Sequence, residues 1–368
     1  MKFLRENIVK IALVFGILIV IVIVLIACSG SGTSVGKGRS YSKIEDNFKN
    51  AATKFLQKHG DLLPTEEGKT IQVQMSSIYT EKEMKKIVSP EDSNVRCDGY
   101  ANVNFKFNDN GDKVYRVVPH IKCGDLYETE DLYVHILKNE DIVTSLDGLY
   151  KIGNEYVYRG ENPNNYIQLG VHLYRILSID EDGFIKLINA EQLPTSVIWD
   201  DRYNKDIQRS DGINDYYVSR VRAAILEFYS SGDYYTDSER NLFVKRNYCI
   251  GRRSSSNIGI SRDEECQQTS DEDFVSLPML YDYFIASVDP DCKTIYDKTC
   301  GNYNYLTEIT PFLTLTASKD NTYDVYVADV PAYADVARSH EKLSLVTFIA
   351  DVSYSSGKGT LADPYIVK

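Results

Sequence analysis

The chain has 368 residues, of which 43% are hydrophobic and 26% are charged, and its formal net charge is −12. The hydrophobic share is that of a globular protein with a buried core, and the length predicts two domains. The acidic balance argues against nucleic acid as a partner, because such sites neutralise phosphates with Lys and Arg. Tyr is unusually frequent, at 28 residues, as is common in β-rich cores and in binding surfaces.

Residues 1–28 have the order of an export signal. Basic residues at Lys2, Arg5 and Lys10 precede an apolar run over 11–27, and small polar residues follow it. The positive end is expected to stay in the cytoplasm while the rest of the chain crosses the membrane. The run is at the short edge of a membrane span of about 20 residues. It is therefore either a permanent anchor or a signal that is cleaved.

The end of this segment, Leu-Ile-Ala-Cys at 25–28, resembles the lipobox of bacterial lipoproteins. The resemblance implies cleavage before Cys28 and attachment of lipid to its sulfur. The alternative is a plain span with a cysteine at its outer edge. Both alternatives predict a protein that is tethered to the membrane by its N-terminus and works outside the cytoplasm.

The chain has seven cysteines, and lipid on Cys28 would leave an even number. An oxidising exterior favours disulfides, although six cysteines allow many connectivities. Neighbours in the sequence suggest three local pairs: Cys97 with Cys123, Cys249 with Cys266, and Cys292 with Cys300. Zinc is the alternative, but no pair has C-x-x-C spacing and only His120 is near a cysteine in the sequence. We therefore expect no metal and no cofactor.

Residues 29–40 are rich in Gly and Ser and predict a flexible stalk. The unit at 41–138 is predicted to be α+β, with a helix leading into a small antiparallel sheet. Its predicted elements are a helix over 44–58, a strand over 71–75, a short helix that starts at Thr80, and a hairpin of strands 102–107 and 114–121. The hairpin turn at 108–112 also resembles part of a calcium loop, without its closing Glu.

The order of apolar segment, helix and sheet resembles the pilin-like architecture of gram-positive surface proteins. The segments Asp-Leu-Leu-Pro-Thr at 61–65, Arg-Cys-Asp-Gly-Tyr at 96–100 and Lys-Cys-Gly-Asp at 122–125 look like a module of uncharacterised surface proteins of Firmicutes and Mollicutes relatives. Type IV prepilins carry a Gly-Phe-Thr-type cleavage site before the apolar run and a Glu inside it. This chain has neither, which argues against polymerisation into a pilus.

After a connection at 139–155, residues 156–368 predict a larger, β-rich α+β domain. Its early part is a meander with clear hairpin chemistry, and helices and late strands follow. The predicted elements are strands at 166–169, 173–177 and 184–188, helices at 218–228, 236–239 and 276–286, and late strands at 312–315, 323–327 and 343–350.

This order, together with Tyr-Arg-Ile-Leu at 174–177 and the closing Gly-Thr-Leu-Ala-Asp-Pro-Tyr at 359–365, resembles a family of uncharacterised gram-positive surface domains related to the C-type-lectin/sulfatase-modifying-factor fold. The resemblance implies a β-rich core with long loops, and it implies no particular activity. The chain departs from that family at 310–315, where Thr-Pro-Phe-Leu-Thr-Leu replaces a Trp-Trp-Leu-Arg-Ser-type strand.

The best candidate ligand site in the sequence combines Trp199, Asp200, Asp201 and Tyr203. Aromatic rings beside carboxylates suit the stacking and hydrogen bonding of a glycan. The motifs G-x-S-x-G, H-E-x-x-H and the P-loop are absent from the sequence. A basic cluster around Cys249 is either a solvated loop or a site for an anion; it comprises Lys245, Arg246, Arg252 and Arg253.

Together these features predict a non-catalytic binding or adhesion module on the cell surface. Its expected partners are the membrane, through the N-terminus, and a surface glycan or protein ligand. The alternative is a structural envelope protein or a pilus-like subunit, which the helix after the apolar segment favours.

Overall fold

The computed structural model describes residues 35–82, 84–107, 111–337 and 339–368. The anchor or signal at 1–28 and the lipidation site Cys28 lie outside these residues. Within them the protein is a strand-rich α+β structure with six α-helices. None of the helices described is both long enough and apolar enough to cross a membrane.

The helices are α1 (Val35–Lys58), α2 (Met75–Thr80), α3 (Leu132–Asn139), α4 (Arg220–Ser230), α5 (Asp237–Arg240) and α6 (Leu280–Ala286). The first ten strands are β1 (Ile71–Gln74), β2 (Asp98–Phe107), β3 (Lys113–Cys123), β4 (Tyr127–Glu128), β5 (Gly148–Ile152), β6 (Glu155–Arg159), β7 (Tyr166–Leu169), β8 (His172–Ile179), β9 (Ile185–Asn189) and β10 (Ser196–Ile198). The other ten are β11 (Phe243–Val244), β12 (Arg252–Arg253), β13 (Val275–Ser276), β14 (Phe312–Ser318), β15 (Asp324–Ala328), β16 (Tyr333–Val336), β17 (His340–Lys342), β18 (Val346–Ile349), β19 (Tyr354–Ser356) and β20 (Tyr365–Val367).

A small antiparallel sheet of order β1-β2-β3-β4 is covered on one face by α1. Phe48 and Phe55 of the helix pack against Val103 and Ile121 of the sheet in one buried cluster. Because successive side chains of a strand point to opposite faces, the polar residues that alternate with these in β2 and β3 face away from α1. Within the described residues, 35–40 are helical, whereas the sequence predicts a flexible stalk over 29–40.

A larger sheet carries the second core. Its strands follow the order β11-β18-β9-β8-β7-β20-β19, with β5, β6 and β13 attached to it. Every residue of β9 is buried, as is expected of a central strand covered on both faces. A further sheet of order β12-β14-β15-β16 contributes to the same core.

The segment between the two sheets belongs with the larger core. Leu132 and Ile136 of α3 are fully buried in the larger cluster, and β5 pairs with β6 along its whole length. The sequence places α3 in the unit at 41–138 and gives no structure to the connection at 139–155. In the structure α3 instead packs with the larger unit, because its apolar face is buried in the second core.

The two sheets meet through polar side chains of β2 and β3. Arg116 donates through Nη1 to the carbonyl oxygen of Ala350 at 3.1 Å and through Nη2 to that of Asp351 at 2.7 Å. Asn102 donates to the carboxylate of Asp351 at 2.9 Å. The face of the small sheet opposite α1 therefore packs against the larger unit.

Three disulfides join cysteines that are close in the sequence: Cys97 with Cys123, Cys249 with Cys266, and Cys292 with Cys300. These are the pairs of sequence neighbours predicted above. Disulfides persist in oxidising compartments and are rare in the cytosol. They indicate an extracellular or secreted protein.

Candidate functional site

The sequence-predicted aromatic site does not present its main ring to solvent. Trp199 is fully buried in the larger core, where its Nε1 donates to the carbonyl oxygen of Thr314 at 3.2 Å. Tyr203, by contrast, is 56% exposed. Because the Trp199 ring is enclosed by protein, it has no free face on which a sugar could stack.

The two carboxylates of that predicted site bind other residues. Asp200 is buried, and its Oδ1 accepts hydrogen bonds from the backbone N–H groups of Arg202 and Ile213 at 3.0 and 3.1 Å. Asp201 lies 2.5 Å from Nε of Arg220 at the start of α4. Asp200 thus stabilises the loop at 200–213, whereas the sequence predicts that it contacts a ligand.

Three residues of the basic cluster around Cys249 belong to separate ion pairs, and the fourth, Arg252, lies on β12, which pairs with β14. Lys245 binds Glu67 of the smaller unit at 2.5 Å, and Arg253 is fully buried against Glu265 at 2.9 Å. Arg246 binds Asp180 at 3.0 Å and lines a cavity. The sequence could not separate the roles of Lys245 and Arg246 because their partners, Glu67 and Asp180, lie 178 and 66 residues away along the chain.

The best candidate site is a cavity of about 320 Å³ between β8, β9 and α6. One wall contains the Cys249–Cys266 disulfide, and we call it the disulfide cavity. Its other walls combine ionic and aromatic side chains, namely Glu155, Asp180, Phe184, Lys186, Arg246, Arg262, Tyr281, Asp282 and Phe348.

A buried ion pair lies at the base of the disulfide cavity. Nζ of Lys186 on β9 is 2.7 Å from each carboxylate oxygen of Asp282 on α6. The same carboxylate accepts a hydrogen bond from the backbone N–H of Met279 at 2.8 Å and so caps α6. Since a buried charge is tolerated only when it is paired and hydrogen-bonded, Lys186 and Asp282 depend on each other.

Two further ion pairs lie around the Lys186–Asp282 pair. Arg262 is 2.8 Å from Glu155, and Arg246 is 3.0 Å from Asp180. Burial lowers the pKa of the Arg262 guanidinium, but the hydrogen bond and the charge of Glu155 outweigh burial and raise this pKa above its ordinary value. The cavity therefore carries three cations and three carboxylates in matched pairs, and each pair offers both donors and acceptors.

Aromatic rings lie between the ion pairs. The Arg246 guanidinium is 4.1 Å from the ring centroid of Phe184 and 5.6 Å from that of Phe348, which are cation–π distances. Tyr281 of α6 is half-buried, and Arg262 lies 5.8 Å from its ring centroid. Burial, together with the charges of Glu155 and Asp282, raises the pKa of Tyr281 despite the opposing charge of Arg262.

The disulfide wall is held by backbone pairing as well as by the covalent bond. Cys249 forms an isolated antiparallel bridge with Thr269, and the N–H of Ile250 donates to the carbonyl oxygen of Gln268 at 2.8 Å. The loop therefore presents a fixed surface to the cavity.

The site predicted from the sequence lies elsewhere, although the sequence contains two signals of the disulfide cavity. Lys186 interrupts the apolar run Phe-Ile-Lys-Leu-Ile at 184–188, and Asp282 interrupts Leu-Tyr-Asp-Tyr-Phe at 280–284. A charged residue inside an apolar run is expensive to bury and so indicates a specific partner.

Within the ranges the structure describes, no group of three or more His, Cys, Asp or Glu side chains is arranged to hold a metal ion. The calcium-loop alternative depends on the turn at 108–112, and residues 108–110 lie outside those ranges.

The chain matches no protein-family model, no curated protein and no solved structure. The resemblances to a pilin-like module and to the C-type-lectin-related fold stay predictions.

Proposed function

We propose that this chain is an extracytoplasmic, non-catalytic binding module for a glycan and that the disulfide cavity is its binding site. The observation that supports the proposal is the combination of three ion pairs with aromatic rings around one cavity. Ligand sites in proteins are usually concave surfaces in which a few placed polar groups interrupt an apolar lining.

The chemistry of the walls suits sugar hydroxyls. A hydroxyl donates one hydrogen bond and accepts others. An Arg–carboxylate pair such as Arg262–Glu155 offers donors and an acceptor side by side. An anionic ligand would instead call for cations without carboxylate partners, whereas each of the three cations that line the disulfide cavity has one. The matched pairs favour a neutral glycan over a phosphate or a sulfate.

Pre-organisation also supports a binding role. The Cys249–Cys266 bond fixes one wall, and the Lys186–Asp282 pair joins the base of the cavity to α6. A cavity that is already shaped loses little conformational entropy when a ligand enters, so more of the contact energy remains as affinity. The predicted N-terminal tether would place such a cavity at the cell surface.

The experiment is binding of the full-length, oxidised chain in detergent to arrays of neutral glycans, acidic glycans and peptides. We expect saturable binding to neutral glycans and about tenfold weaker binding by Tyr281→Ala, the loss of one contact worth roughly 1.4 kcal/mol. Tyr203→Ala is the matched control, because Tyr203 is exposed and does not line the disulfide cavity.

Three results would contradict the proposal. The folded chain could bind no glycan, it could bind only peptides, or it could lose glycan affinity on Tyr203→Ala while Tyr281→Ala leaves the affinity unchanged. The last result would return the site to the segment around Asp201 and Tyr203.

A further inference from the structure

A second cavity, of about 460 Å³, lies where the small sheet meets the larger unit. We call it the junction cavity. The small unit contributes Glu67, Lys106 and Arg116 to its walls, and the larger unit contributes Tyr133, Lys245 and Asp351.

The junction cavity and the disulfide cavity share a wall. Phe184 lines both of them. It ends the turn at 180–184 that joins β8 to β9. Asp180, at the start of this turn, lines the disulfide cavity, whereas Asp182 and Gly183 line the junction cavity. One short turn therefore separates the two spaces.

This dividing turn is tightly built. The carboxylate of Asp180 accepts hydrogen bonds from the backbone N–H groups of Asp182 at 3.1 Å and Phe184 at 2.9 Å. On the side of the disulfide cavity, Arg246 binds Asp180 at 3.0 Å and covers the ring of Phe184. The turn thus has a fixed shape on that side.

Tyr133 of α3 supports the turn from the side of the junction cavity. Gly183 has a φ of +82°, and a Cβ placed on it would lie 2.8 Å from Cε1 of Tyr133. That distance is far below an ordinary contact, so only glycine fits against the ring. Arg246 and Tyr133 therefore hold this turn, which separates the two cavities, from opposite sides.

The junction cavity also places donors beside acceptors, but of its three cations only Lys245 has a carboxylate partner within the described residues, whereas Arg116 and Lys106 donate to backbone carbonyl oxygens. Lys245 is paired with Glu67 at 2.5 Å, and Arg116 donates to the carbonyl oxygen of Asp351 at 2.7 Å. Lys106 donates to the carbonyl oxygen of Arg240 at 2.8 Å. Donors again lie beside acceptors, and the ring of Tyr133 lies among them.

We propose that the two cavities form one groove, in which successive sugars of a linear glycan occupy the disulfide cavity and the junction cavity and the chain crosses the turn at 180–184. The inference rests on the proposed function, and it adds that the ligand is a polymer recognised by both units. A single sugar or a disaccharide would use only one cavity. The contacts in the second cavity are available only to a longer glycan.

The experiment measures affinity as a function of glycan length. The probes are disaccharides, tetrasaccharides and hexasaccharides of N-acetylglucosamine, glucose, mannose and xylose, titrated against the full-length oxidised chain. We expect the hexasaccharide of the preferred sugar to bind about a hundredfold more tightly than its disaccharide, because each added tenfold corresponds to roughly 1.4 kcal/mol of new contacts.

A variant of the junction cavity distinguishes the contributions of the two cavities to affinity. Thr70 lines this cavity and is exposed, so Thr70→Tyr fills the space without removing a buried contact. It should lower hexasaccharide affinity to the disaccharide level and leave disaccharide affinity unchanged. Thr53→Tyr, at an exposed position of α1, is the matched control and should have no effect.

Hydrogen exchange gives a second readout. The hexasaccharide should protect backbone amides at 67–70 and at 246–249, whereas the disaccharide should protect only those at 246–249. Equal affinities for all lengths, with disaccharide binding still weakened by Tyr281→Ala, would overturn the groove and leave the proposed function standing. Failure of every glycan to bind would overturn both.

Discussion

The ammonium group of Lys186 lies 2.7 Å from both carboxylate oxygens of Asp282, and the two side chains are only 9% and 8% exposed. This pair joins the central strand β9 to the N-terminus of α6. It therefore fixes the base of the disulfide cavity, and its removal should be felt in stability as well as in binding.

Lys186→Met should lower the free energy of unfolding by about 3 kcal/mol, because it leaves the Asp282 carboxylate buried without its counter-ion. Asp282→Asn should have a similar cost, since it leaves the ammonium unpaired. The double variant Lys186→Met/Asp282→Asn should lose less than the sum of the two single variants, because no uncompensated charge remains. Urea unfolding of the oxidised chain measures all three.

The control for this prediction is an exposed ion pair. Lys293 lies 3.7 Å from Asp291, and both side chains are largely exposed. Exposed pairs contribute little because solvent screens them. Lys293→Met should leave the free energy of unfolding nearly unchanged. A double variant at Lys186 and Asp282 whose loss equals the sum of the single losses would show that the two groups act independently.

Local sequence signals predict part of this fold well. The hairpin expected at 102–107 and 114–121 is β2 and β3, which are longer by a few residues at their ends. The strands expected at 166–169 and 173–177 are β7 and most of β8. Alternation of apolar and polar residues and turn chemistry are local properties, so the sequence carries them.

Other elements depend on contacts that no local pattern contains. The capping-box pattern at Thr80 predicts a helix start, yet α2 ends there. Burial of Met75 and Ile78 fixes the helix upstream, and Lys82 with a φ of 60° ends it. Similarly, the Trp199 side chain bonds to Thr314 and Lys186 pairs with Asp282, and both partners lie about a hundred positions away in the chain.

The pH dependence of stability should carry a contribution from Glu140. Burial raises the pKa of this carboxyl above its ordinary value of 4.5, although hydrogen bonds from Tyr365 and Tyr158 oppose the increase. Between the ordinary pKa and the folded pKa, the folded chain holds a proton that the unfolded chain has released. This contribution to stability is complete below pH 4.5 and is lost as the pH rises through the folded pKa.

Glu140→Gln has no carboxyl to ionise. The free energy of unfolding of Glu140→Gln minus that of the unmodified chain should therefore increase as the pH rises above 4.5 and then level off. Urea unfolding between pH 4 and pH 7.5 measures this difference. A difference that stays constant with pH would show that Glu140 titrates alike in the folded and unfolded chains.

Glu130 provides a control of opposite sign. Burial raises the pKa of its carboxyl, but hydrogen bonds from His135 and Lys138 outweigh burial and lower this pKa below 4.5. Its contribution is present above the unfolded pKa and is lost as the pH falls through the folded pKa. Glu130→Gln should therefore be less stable than the unmodified chain at neutral pH, and the deficit should disappear in acid.

Removing either of two disulfides should lower stability by a similar amount, but only one of the two removals should weaken glycan binding. Cys249 and Cys266 are 17 residues apart in the sequence and their bond lines the disulfide cavity, whereas Cys292 and Cys300 are 8 residues apart and line neither cavity. Loop-closure entropy depends only weakly on loop length, so replacing either pair by alanine should lower the free energy of unfolding by about 2.5–3 kcal/mol.

Glycan binding should respond differently to the two replacements. Cys249→Ala/Cys266→Ala frees one wall of the cavity and should weaken binding about tenfold or more, because the ligand must then order that loop. Cys292→Ala/Cys300→Ala should bind with unchanged affinity, measured well below its unfolding transition. The two variants have matched losses of stability, so a difference in affinity reports the cavity wall and not general loosening. Equal affinities would place the binding site away from the Cys249–Cys266 loop.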